Sequence, residues 1–268
     1  GNIAIASGSE FIFSSTSAGT HTFSGVMSGS GGLTLSASGA QLLLSGTNTY
    51  TGTTTISAGE LKVSGALADN SPLSVASGAN YTLGANDSIG SISGGGQIGL
   101  AGYNLTVGGH NSSTTFSGQI IGHDYLGDDN EGDLIKVGSG TLTLSGANEY
   151  SGTTTISAGN LTITGTMRTN GAYAGNIAVV SGSLLTYSSS NDLELAGVIS
   201  GAGGLTKSGS GTLTLSGTNT YTGTTTLSAG TLTVSGSLAD TSSLSVASGK
   251  TYTLGAADTF ASIAGAGT

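Results

Sequence analysis

One segment is written three times in this chain: residues 45–65 read SGTNTYTGTTTISAGELKVSG, residues 145–165 read SGANEYSGTTTISAGNLTITG, and residues 216–236 read SGTNTYTGTTTLSAGTLTVSG. The likeness extends further, since residues 66–87 return as 237–258 and residues 1–8 as 175–182. Repetition of this kind leaves few architectures open, because each unit must bury its apolar face against its own neighbours. The reading is one solenoid domain, 1–268, with modules at 1–96, 97–174 and 175–268. The function must be one that an array can perform.

A shorter period lies inside the long one. Leu215, Val234 and Leu254 are separated by 19 and 20 residues, and a second track, Leu227, Val246 and Ile263, by 19 and 17. The first module carries the same tracks as Leu44, Val63, Leu83 and Ile56, Val75, Ile92. Around each point apolar and β-branched polar residues alternate, as in Thr212-Leu213-Thr214-Leu215, which marks a strand with one buried face. By this alternation Leu232 points inward and Thr233 outward. Ser-Gly, Ala-Gly and Asn-containing turns separate the strands. The pattern predicts an all-β, right-handed parallel β-helix with roughly 20 residues per rung. At roughly 4.8 Å per turn, about thirteen turns make a rod on the order of 60 Å long.

Composition narrows the partners. Charged residues are 7% of the chain, only five are Lys or Arg, and the net charge is −9, so nucleic acid and anionic lipid are disfavoured. With no Cys there are no disulfides, thiolate metal sites or Cys nucleophiles. A single Pro leaves backbone donors for a continuous ladder, and 36% apolar residues in register supply a core. No apolar run approaches a membrane span, and GNIAIASGSE lacks the features of a signal peptide, so direct membrane insertion of this segment is not expected.

Residues 123–133 hold five of the fourteen carboxylates. Phe116 to Leu134 is 18 residues, whereas Phe23 to Leu33 and Leu195 to Leu205 are 10, so eight residues are inserted at a turn. Asp128, Asn130 and Asp133 could supply oxygen ligands to calcium, although an EF-hand loop starting at Asp128 would meet Ser139 where it needs a bidentate acid. No other cofactor is indicated. Asp69 and Asp240, like Asp87 and Asp258, belong to the repeat and read as turn formers rather than a catalytic pair; His21, His110 and His123 lack a recognisable nucleophile arrangement. Tyr50, Tyr150 and Tyr221 could stack on sugars if exposed, but their recurrence reads more naturally as packing. Thr212 and Thr214, Thr231 and Thr233, Thr251 and Thr253 would form an outward Thr array around buried Leu213, Leu232 and Tyr252. An ice-binding face has that form, but Gln41 and Leu43, Glu60 and Lys62, Asn80 and Thr82 break it in the first module.

Residues 203–236, with GTLTLSG, NxYxGTTT and SAGxLxV in order, closely resemble the autotransporter-associated β-strand repeat, or passenger-associated transport repeat; residues 31–65 and 133–165 are the other copies. The first copy departs from it with Leu35 where Lys136 and Lys207 stand, and with Ala40-Gln41-Leu42 for Gly-Thr-Leu. The resemblance implies a type V secreted passenger on the outer surface of a Gram-negative bacterium, a stalk or adhesive fibre in adhesion, self-association or biofilm. Its implied partners are host or neighbouring-cell surface molecules, glycans among them. The rival reading is a carbohydrate-active β-helix lyase or hydrolase, which needs converging carboxylates. No transport barrel follows within the sequence, and neither end reads as a cap, so a longer array, or end-to-end or side-by-side association into filaments, is the expectation.

Overall fold

The computed structural model describes residues 1–123, 131–168, 171–255 and 260–268. Among these residues the architecture is all strand, a parallel β-solenoid of about 12 turns spaced roughly 20 residues apart. Strands stack in parallel from Ile3–Ile5 against Met27–Gly29 to Ser243–Val246 against Ser262–Gly265. Inward residues form a single core from Ile5 to Val246. Leu213 and Leu232 are fully buried, while Thr212, Thr214, Thr231 and Thr233 are half-buried on the other face.

The first track stacks as expected, Leu44 on Val63 on Leu83 and Leu215 on Val234 on Leu254. The second requires a correction. Ile56 faces Val75 and Leu227 faces Val246, but Ile92 faces Leu73 and Ile263 faces Leu244. Gly94 and Gly265 take the places opposite Val75 and Val246, with φ of 100° and 110°. A side chain at either would overlap the carbonyl oxygen of the valine below. The strand therefore ends there in a left-handed corner that only Gly fits. Tyr252 is also less enclosed than expected, at half-buried, and Leu254 is 44% exposed.

The acidic insertion is absorbed within one turn. Thr106 pairs with Ile135, 29 residues on, and Phe116 with Leu144, 28 on. The ladder then resumes as Leu134 opposite Thr154, matching Leu33 opposite Thr54 and Leu205 opposite Thr225.

A buried asparagine ties the corner of each copy to both neighbouring rungs. Asn48 Oδ1 accepts from Met27 N–H at 3.0 Å, and its Nδ2 donates to Gly46 and Ala66 carbonyls at 2.9 and 3.0 Å. Asn148 does the same with Ile120, Gly146 and Thr166, and Asn219 with Ile199, Gly217 and Ser237. One amide thus pairs a strand N–H on one neighbouring rung and adds a second donor to the corner carbonyls, which an apolar residue could not do.

Candidate functional site

On the outer face of the first module and the start of the second, one side chain per rung falls into a single row. Strand register stacks Thr20 on Gln41, Gln41 on Glu60, Glu60 on Asn80, Asn80 on Gln97, and Gln97 on Gln119. The side chains bond along the rod: Thr20 Oγ1 donates to Gln41 Oε1 at 3.1 Å, and Gln41 Nε2 to Glu60 Oε2 at 3.0 Å. Thr82 donates to Glu60 Oε1 at 2.7 Å, and Gln97 Nε2 to Gln119 Oε1 at 3.0 Å. The chain contains three glutamines, and all three stand in this row.

Beside the row lies a trough. One cavity of about 480 Å³ runs from Gly19 to Asn80 over Ser38, Gly39, Ser57 and Gly59; a second, of about 530 Å³, runs from Gly78 to Gln119 over Gly95 and Ser117. They share Gly78 and Asn80 and so meet end to end. Small corner residues keep the floor low, and Glu60 is the only charged residue in either lining. The strand segments that run on from Gln41, Glu60, Asn80 and Gln97 along its side are bonded to the rungs above and below. A ligand in the trough therefore meets side-chain amides, hydroxyls and one carboxylate.

The other candidates are placed elsewhere. Asp128 and Asn130 lie outside the described residues. Asp133 is half-buried, and its Oδ1 accepts from Thr153 N–H at 2.7 Å on the next rung. Glu131 accepts from Ser151 N–H at 2.8 Å and faces Arg168 at 3.9 Å. The packing reading of Tyr50, Tyr150 and Tyr221 holds: all are at most 1% exposed, and their hydroxyls bond Thr54, Thr154 and Thr225 at 2.5, 2.8 and 2.5 Å. The tyrosines are core residues whose single polar atom finds a threonine four positions on.

Asp87 is more than a turn former. It is 5% exposed and accepts from Tyr81 Oη at 2.6 Å, Leu67 N–H at 3.1 Å and Ser88 N–H at 3.0 Å. Burial pushes its carboxyl up to about 6 despite those donors, and exposed Asp69 adds to the rise. The carboxylate is a structural anchor facing the core; its repeat partner Asp258 lies outside the described residues. His21 bonds Ser15 and the carbonyl of Ser17, and His110 and His123 are exposed.

The row escaped the sequence reading, which met Gln41, Glu60 and Asn80 only as interruptions of a threonine face. The available signal was the confinement of every glutamine to the stretch 41–119, each one position before an apolar residue of a strand.

Comparison with known proteins agrees with the geometry. The passenger-associated-transport-repeat family matches residues 26–63, 134–163 and 205–234. The chain carries the passenger repeats of autotransporters. The passenger repeats coincide with the three asparagine-clamped corners. The adhesin BmaC autotransporter of Brucella suis biovar 1 (strain 1330) is 38% identical over 206 residues, 70% of this chain and 6% of that protein. The passenger segment thus spans about 6% of the length of this curated relative. No solved structure matches.

Proposed function

We propose that this passenger segment is part of an extracellular adhesive fibre on a Gram-negative cell, holding the cell to host or neighbouring-cell surface molecules. Its identity to an autotransporter adhesin over 206 residues carries the reading. The architecture supports it, because a rod of stacked rungs presents a long outer surface at a distance from the cell. Its work is binding rather than catalysis. Attachment to like copies, and with it biofilm growth, belongs to the same proposal.

Beads coated with the folded segment should adhere to host-cell monolayers or to one another well above beads coated with heat-denatured chain. Equal adherence of the two bead sets would sink the reading. Release of reducing ends or unsaturated sugars from a polysaccharide panel would favour the lyase or hydrolase instead.

A further inference from the structure

We propose that the trough from Thr20 to Gln119 is a binding site for a single linear, uncharged polysaccharide chain laid along the rod, an inference that rests on the adhesive reading above. Its length is the first argument. The row crosses six rungs, about 24 Å at about 4.8 Å per step, and the two cavities join at Gly78 and Asn80 into one continuous path. A polymer of several sugars fits such a path better than a compact metabolite does.

The chemistry of the walls is the second. Amides from Gln41, Asn80, Gln97 and Gln119 each offer donors and an acceptor, and Ser38 and Ser57 add hydroxyls. Repetition at rung spacing suits a ligand that repeats hydroxyl or acetamido groups along its own axis. Glu60, the single charge in the lining, together with a net charge of −9, opposes uronate polymers and nucleic acid. An extended peptide adds to a free strand edge, and the strands bordering the trough are already paired between rungs.

Asn80 is the third. Gln41 and Thr82 already bond Glu60, and Gln97 bonds Gln119, but the Asn80 carboxamide makes no side-chain hydrogen bond among the described residues. It is half-buried at the point shared by both cavities, where one open donor-acceptor pair would anchor the middle of a bound chain. With no aromatic ring in either lining, each sugar contributes little and affinity must accumulate with length.

Calorimetric titration with cello- and chito-oligosaccharides of two to six sugars tests this. At least one series should bind, with affinity rising at least tenfold from dimer to hexamer. Hexagalacturonate should bind at least tenfold more weakly than that neutral hexamer. Asn80→Ala, the size-preserving Asn80→Asp and Gln97→Ala should each weaken the hexamer at least fivefold, while Thr231→Ala leaves it unchanged; melting curves check that each variant is folded. Absence of binding by both neutral hexamers, equal binding by the folded Asn80 variants, or preference for hexagalacturonate or a peptide would overturn the site. Beads carrying the Asn80→Ala/Gln97→Ala chain separate the two ideas. If wild-type beads adhere and the titrations fail, only the trough is wrong; if wild-type beads do not adhere, the adhesive reading itself falls.

Discussion

The first and third modules share one register but solve the same corner in opposite ways. Leu35 and Lys207 occupy equivalent positions and both are fully buried. Around Leu35 the chain continues as one strand, Gly32–Leu44, with Ala37 and Ala40 turned inward. Around Lys207 the strand stops at Gly204–Lys207 and restarts at Thr212–Leu215. The break leaves carbonyls without ladder partners, and the lysine supplies the donor: Nζ bonds the carbonyls of Gly209 and Ala229, the latter at 3.3 Å, and lies 5.5 Å from the Tyr187 ring. Lys136 repeats this with Val137, Gly138 and Ala158 at 2.6, 2.8 and 3.1 Å. Burial lowers the pKa of both lysines.

In this pair the interior cation stands at a broken corner and the interior leucine at a continuous one, while on the rung next to Lys207 the buried Leu227 also ends its strand, which restarts at Thr231–Val234. The amide row starts over the continuous corner, on Ser38, Gly39, Ser57 and Gly59, and runs on over broken corners at Gly78, Gly95 and Ser117. The equivalent row in the third module is Thr212, Thr231 and Thr251.

Exchanging the two corner residues tests this contrast most severely. Leu35→Lys buries an ammonium where a fully enclosed apolar side chain stood and should cost about 4 kcal/mol. The reverse change, Lys207→Leu, strips donors from two carbonyls and should cost about 2 kcal/mol. Urea unfolding measures both; equal losses would mean that the corners are interchangeable.

The asparagine clamp should make no distinction between modules. Asn48→Ala and Asn219→Ala each leave one buried backbone amide, Met27 or Ile199 N–H, unpaired and take a second donor from two carbonyls, so each should lower stability by about 2 kcal/mol. A difference above about 1 kcal/mol between them would show that the first module is held together by other means.

Asp87 makes the stability of the first module depend on pH. Its folded pKa of about 6 lies above the ordinary value of 3.8, so the folded state binds the proton more tightly than the unfolded one. That contribution is complete below about pH 4 and is lost as pH rises through about 6, a change on the order of 2 kcal/mol. Relative to Asp87→Asn, the wild-type chain should thus gain stability on going from pH 7.5 to pH 4. A pH-independent difference between the two chains would refute the buried anchor.

The smallest effects belong to the outer row. Glu60→Thr and Thr231→Gln, which trade the chemistry of one module for the other, should each shift stability by less than about 0.5 kcal/mol. Larger losses would make the row part of the folding framework rather than a free surface.

Much of the fold was legible because stacking repeats the same requirement every rung. Alternation at Leu213 and Leu232 identified the buried face, and the track from Leu44 to Leu83 identified the stacking partners. The second track misled because Ile92 and Ile263 look like its next points, whereas the corner needs a positive φ two residues later, at Gly94 and Gly265. The Met/Ile-Ser/Ala-Gly-x-Gly motif at 27–31, 92–96, 199–203 and 263–267 was present in the sequence, but its geometric meaning appears only once the rungs are stacked.

By itself, then, the sequence determined the period, the inward face and the repeat family, since these follow from local alternation and from copies of one segment. Tertiary structure alone decided that Asp87 lies inside, that Lys207 caps a broken corner, and that residues about twenty apart form one row. Those outcomes depend on which atoms meet across rungs, and a rung twenty residues away leaves no trace in the local pattern of any single strand.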